Sequence, residues 1–164
     1  GWGRNTLTRK IKELGIEKYV HALGHNDPGL SGNGWDGVRC RMEVEKSHFK
    51  HIAKMAKTLE SIPEGNGNML DNTLIVYLSC SGGAHHDGQK DWPFVLVGGM
   101  ARKLNMGQYL EYAGYKEKGH RTIANLYLTF MHAAGINAPE TFGQLDGSLR
   151  HLNLTGPLEE LMAG

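Results

Sequence analysis

Residues 73–99 constrain the fold more than any other part of the chain. Thr73-Leu74-Ile75-Val76-Tyr77-Leu78-Ser79 is an apolar run, and Trp92-Pro93-Phe94-Val95-Leu96-Val97-Gly98-Gly99 is a second one. Between them lies the polar loop Cys80-Ser81-Gly82-Gly83-Ala84-His85-His86-Asp87-Gly88. Both runs are of strand length and rich in β-branched and aromatic residues. Neither alternates apolar with polar, so each is expected to be a strand covered on two sides, as in an α/β sheet. The loop sets two imidazoles and a carboxylate side by side. A linker has no need of such a run, so function is sought here first.

The flanking sequence supplies helices for both faces. Asn5 to Val20 reads as a first helix, with Leu7, Ile11, Leu14 and Val20 as its apolar stripe and Gly15 weakening its second half. His21 and His25 follow at a spacing that puts both on one face if the helix continues. Gly24 and Asn26-Asp27-Pro28-Gly29 argue that it ends there. Residues 26–37 form a long Gly-, Asn- and Asp-rich loop in which Trp35 is expected to pack on something, and loops of this length are commonly functional or disordered. Met42 to Ile62 is the clearest helix, with Val44, His48, Ile52, Met55, Leu59 and Ile62 at spacings of three and four. His48 on that face reads as a hydrogen-bonded core residue. Pro63 stops the helix.

Beyond the second strand, Met106 to Ala113, with Tyr109, Leu110 and Tyr112, is expected to form a short hairpin. His120 to Ala134 is expected to be a helix that buries Ile123, Leu126, Tyr127, Phe130 and Met131 and ends at Gly135. From Asn137 the chain is loop-rich, with Phe142 and Leu145 as its candidate anchors. The arrangement predicts one domain over 1–164, long enough for a core of its own.

Bulk properties narrow the function. A formal net charge of +1, with acids and bases interspersed, gives no electrostatic footprint for nucleic acid. The apolar runs are too short to span a bilayer. No basic segment followed by an apolar one opens the chain, so no signal peptide is visible. The first residue is Gly, which is expected of a processed or partial product. Cys40 and Cys80 are compatible with one disulfide or two free thiols, and neither sits in a CxxC.

Nine histidines suggest metal or proton chemistry. Imidazole and carboxylate are the usual ligands of zinc, manganese or iron, and donors must converge from several elements. The candidates are His21 and His25, then His85, His86 and Asp87, then His120, all near the ends of predicted elements. Open α/β sheets bind ligands at strand ends. A nucleophilic alternative places Ser81 or Cys80 on a strand-to-helix elbow, but a glycine and histidine loop follows where the elbow needs a helix. In the bland alternative His85-His86-Asp87 is a solvated loop, His132 and His151 are surface residues, and Gly82-Gly83 and Gly98-Gly99 serve tight turns. No P-loop motif is present.

Several blocks together carry a family resemblance. They are the helix with His48 and Ala53, then Ile62-Pro63-Glu64-Gly65, Leu70-Asp71-Asn72-Thr73-Leu74, the His-bearing loop, and Pro93 to Gly99. Asn125-Leu126-Tyr127-Leu128 and Phe142-Gly143 complete the order. The chain resembles the C-terminal part of a secreted bacterial family known only as a domain of unknown function. That family is distantly similar to the alkaline phosphatase and sulfatase superfamily.

The resemblance implies a partial α/β/α sandwich with a mostly parallel sheet and flanking helices. It also implies a divalent metal (zinc, manganese or calcium) held by His85, His86 and His120, with His21, His25 and Asp87 as further ligands. Such an ion would polarise a phosphate or sulfate ester oxygen. The implied location is secreted or periplasmic, and the implied partners are an N-terminal portion or other subunits. The chain departs from the superfamily pattern in two ways: His85-His86 stands where an Asp-His pair is expected, and no upstream Ser or Thr nucleophile has a counterpart. A non-catalytic secreted assembly module, marked by large partner-facing apolar patches, is the competing expectation. An esterase built on Ser81 or Cys80 is the third.

Overall fold

The computed structural model describes residues 37–78 and 92–163. Helix α1 runs from Gly37 to Glu60. Contacts one turn apart support it: Arg41 Nε lies 3.6 Å from Glu45 and Lys46 Nζ 2.6 Å from Glu43. Pro63 cannot extend the helix, and the chain turns into a small ribbon, with β1 (Pro63–Glu64) antiparallel to β2 (Gly67–Asn68). Gly65 takes the left-handed conformation in the turn between them, φ +57°. Asn68 then caps the one-turn helix α2, Met69–Asn72. Its side chain accepts from Asp71 N while its own N–H donates to the Asp71 carboxylate, both at 3.0 Å.

Strand β3 (Ile75–Leu78) pairs antiparallel with β4 (Phe94–Val97), Ile75 opposite Val97 and Leu78 opposite Phe94. The expected parallel sheet of an alkaline-phosphatase-like sandwich is therefore not what this chain builds; among the described residues there are two short antiparallel two-stranded sheets. The apolar double face has a different cause. On one side Phe94 and Leu96 join Leu74 against the C-terminal core. On the other, Tyr77 meets the ring of Phe49 from α1, centroids 4.8 Å apart. Two-sided cover makes a strand apolar throughout whichever way its neighbour runs. Just past β4, Gly98 takes φ +98°, and a Cβ there would stand 2.2 Å from the Thr73 carbonyl oxygen ahead of β3.

Helix α3 spans Ile123–Ala133, three residues later than expected at its start. It buries Asn125, Leu126, Leu128, Thr129 and Ala133, whereas Tyr127, expected inside, is exposed. The core joins Leu126 and Ala133 to Leu104, Leu158 and Leu161, with Met106, Leu110 and Tyr112 packed at its edge. Met106 to Ala113 is irregular rather than a hairpin. The segment instead supplies side chains to the core, and its backbone follows.

The tail is loop-rich as expected, with 3-10 turns at Gly147–Leu149 and Glu159–Leu161. Its anchors differ from those expected. Phe142 and Leu145 are 42% and 37% exposed, and the buried residues are Leu149, Leu154, Leu158 and Leu161. An isolated bridge pairs Leu104 with Met162, and Asn105 N donates to Leu161 O at 2.8 Å. The first expected helix (Asn5–Val20) and residues 26–36 of the expected loop lie outside the described residues; residue 37 opens α1.

Candidate functional site

Of the six candidate metal ligands, His120 lies within the described residues. His21, His25, His85, His86 and Asp87 lie outside them, as do Cys80 and Ser81. His120 sits ahead of α3 rather than within it. A double turn holds it there: Glu117 N donates to Gly114 O and His120 N to Glu117 O, each at 3.0 Å. Gly119 takes φ +93° to let the chain reverse.

The imidazole is partly buried, and its Nδ1 lies 3.0 Å from the Ala113 carbonyl oxygen. A carbonyl only accepts, so Nδ1 carries the proton and donates. In the neutral ring this leaves the lone pair on Nε2. Among the described residues nothing hydrogen-bonds that nitrogen. The ring also stands edge-on to Tyr115, centroids 5.8 Å apart at 88°.

Tyr115 is fixed in turn. Its hydroxyl donates to Asp146 Oδ2 at 2.6 Å and lies 2.8 Å from Ser148 Oγ. The Tyr115 hydrogen bond, then the backbone N–H and hydroxyl of Ser148, pull the Asp146 carboxyl down to about 2. Asp146 also caps the 3-10 turn through Ser148 N at 2.8 Å. Arg121 beside His120 donates to Pro157 O at 2.8 Å and to Asn153 O at 3.2 Å, pinning the same shelf to the tail. Tyr115, Asp146 and Ser148 were not singled out from sequence. The Asp-Gly-Ser turn signal was legible, but its link to Tyr115 spans a distance no local pattern reports.

A second cluster stands at the root of the His-bearing loop. His48 Nδ1 on α1 lies 3.2 Å from the Tyr77 hydroxyl, two residues before residue 79, where the described strand breaks off. His48 is exposed, so it is hydrogen-bonded as expected but not a core residue. Burial, then the negative charge of Glu45, pushes the Tyr77 phenol up. Cys40 on α1 is a free thiol. Among the described residues no three His, Cys, Asp or Glu side chains converge as a metal site would require. His120 fits as one ligand, and further donors would have to come from elsewhere in the chain.

No family model matches the chain. A stretch of 19 residues is 90% identical to the DNA-binding transcriptional regulator NtrC of Proteus hauseri. It covers 12% of this chain and 4% of that regulator, which is too little to assign a family or a role. No solved structure matches. Among the described residues no helix is long and apolar enough to cross a membrane.

Proposed function

We propose that this chain is the metal-binding part of a secreted or periplasmic hydrolase of phosphate or sulfate esters. His120 is one ligand, and His85 and His86 are its principal companions. His21, His25 and Asp87 are further donors. The observation that carries this reading is the fixed His120 ring: its Nδ1–H donates to the Ala113 carbonyl, and among the described residues no hydrogen bond engages the Nε2 lone pair. Metal-bound histidines are oriented in this way by a partner on the other nitrogen. A bound zinc, manganese or calcium ion would supply Lewis acidity toward an ester oxygen. The chain's own residues set where that nitrogen points, through Ala113, Tyr115 and Asp146. Elemental analysis of the native protein tests the reading. A stoichiometric divalent metal and a melting temperature lowered by chelator are expected; no metal and an unchanged melting temperature would refute it.

A second reading rests on a different observation. Val38, Met42, Val44, Phe49 and Met55 of α1, with Ile62 after it, are large apolar side chains left exposed. Exposed apolar side chains in this number on one helix favour association with a partner. In that reading the chain is a non-catalytic assembly module whose partners are an N-terminal portion or other subunits. It predicts no ester hydrolysis with any divalent ion.

A further inference from the structure

Away from the two histidine clusters, the tight turn between β1 and β2 carries a chemistry of its own. Gly65 and Asn66 are its central residues, and both Asn66 and Gly67 are exposed. The Asn66 amide has no hydrogen-bond partner among the described residues. The asparagines that follow it are held: Asn68 Oδ1 accepts from Asp71 N at 3.0 Å, and Asn72 Nδ2 donates to Glu64 Oε2 at 2.6 Å.

Residue 67 is glycine for a structural reason. Asp71 Oδ2 reaches back to accept from Asn68 N at 3.0 Å, and it stands where a Cβ on residue 67 would go. The capping box of α2 therefore keeps Gly67 bare. A bare following residue also opens an asparagine to attack by its own chain, because no side chain screens the next backbone nitrogen. Among the described residues, Asn66 is the one asparagine followed by glycine. The β1–β2 ribbon is only two residue pairs long, so the Glu64–Gly67 pair opens readily and releases the Gly67 nitrogen.

We infer that Asn66 is a site of spontaneous deamidation. The Gly67 nitrogen bonds to Asn66 Cγ and gives its proton to water. The Cγ–Nδ2 bond breaks, and the departing nitrogen takes a proton from water and leaves as ammonia. Water then opens the cyclic imide: cleavage on the Cγ side gives aspartate, and cleavage at the main-chain carbonyl gives isoaspartate. Isoaspartate routes the backbone through Cγ, one atom longer, which a two-residue turn cannot absorb without losing its register. Either product adds a carboxylate to a cleft wall shared by Glu64, Asp71 and Arg102. The inference stands apart from the metal reading, because no metal ligand takes part.

Incubation of the full chain at mildly alkaline pH, then tryptic peptide mapping by mass with electron-transfer fragmentation, tests it. Residue 66 is expected to convert, NH replaced by O, to a mixture of aspartate and isoaspartate. Asn137, exposed but followed by alanine, should stay intact over the same period. Asn33, also followed by glycine, lies outside the described residues and falls on a separate tryptic peptide. Asn66→Gln keeps the amide on a longer side chain that closes the ring poorly, so conversion at this position should be lost. A parallel incubation in urea separates the folded turn from the bare dipeptide. Asn66 intact in the folded chain while it converts in urea would overturn the inference, since the turn would then protect it. Conversion of Asn137 as fast as Asn66, or conversion undiminished in Asn66→Gln, would overturn it equally.

Discussion

The side-chain nitrogen of Asn125 lies 2.8 Å from the carbonyl oxygen of Gly156, joining α3 to a tail segment 31 residues later. The same nitrogen lies 3.0 Å from Leu154 O, while Asn125 Oδ1 accepts from Thr122 N at 2.9 Å and Thr122 Oγ1 at 3.0 Å. Asn125 is 0% exposed. One amide thus ends the helix on one side and seats an irregular backbone on the other. Asn125→Ala would strand these buried groups, and a loss of about 3 kcal/mol or more is expected from the desolvation of unpaired polar groups. Urea unfolding of the variant checks it.

Thr129 makes a related bond one turn on. Its hydroxyl donates to Asn125 O and accepts from Leu158 N, both at 2.8 Å, and it too is fully buried. Thr129→Val keeps the shape but orphans the Leu158 N–H, which should cost about 1–3 kcal/mol. Thr129→Ser should recover most of that loss in the same denaturation assay.

Much of this frame was legible from sequence, and the part that was not has a physical reason. The helices α1 and α3 announced themselves because one apolar side repeats with the helical period. The strand at Phe94–Val97 falls inside the apolar run from Trp92 to Gly99. Strand direction was not legible, because residues apolar on both faces report cover on both faces and say nothing of which way the neighbour runs. The tail leucines 154, 158 and 161 recur at helical spacing, yet they anchor irregular backbone that ends in a 3-10 turn, so the period was no guide to them. His120 was picked out as a residue, but the Ala113 carbonyl that fixes its tautomer becomes a neighbour only when the intervening turn closes.

Asp146 sets a pH dependence. Its carboxyl is lowered in the folded chain, so the stabilisation it supplies is fully present above the unfolded value of about 4 and fades as pH falls toward 2. NMR titration of the Asp146 carboxyl carbon should give a midpoint of about 2. Tyr115→Phe removes the largest cause and should move the midpoint up toward the ordinary carboxylate range. An unchanged midpoint would mean that the hydroxyl does not hold the charge.

Met100, Ala101 and Arg102 carry φ of 48°, 57° and 62°, three consecutive left-handed residues after the hairpin. Each non-glycine residue in this region costs about 1–2 kcal/mol. The turn is retained because Ala101 N donates to Asp71 O at 2.7 Å and Lys103 N to Gly99 O at 3.1 Å. Ala101→Gly should therefore raise stability, by about 0.5–1 kcal/mol after the added flexibility of the unfolded chain is offset. A lowered melting temperature would show that the turn is not strained.

The central claim is that His120 offers Nε2 to a metal while Ala113 holds its Nδ1 proton. Zinc titration followed at the two imidazole nitrogens of His120 by nitrogen-15 NMR tests it most directly. The account predicts that Nε2 shifts and saturates at one equivalent while Nδ1 stays protonated, and that His120→Ala abolishes stoichiometric binding. Two His120 nitrogens unmoved by zinc, or a zinc stoichiometry unchanged in His120→Ala, would contradict it.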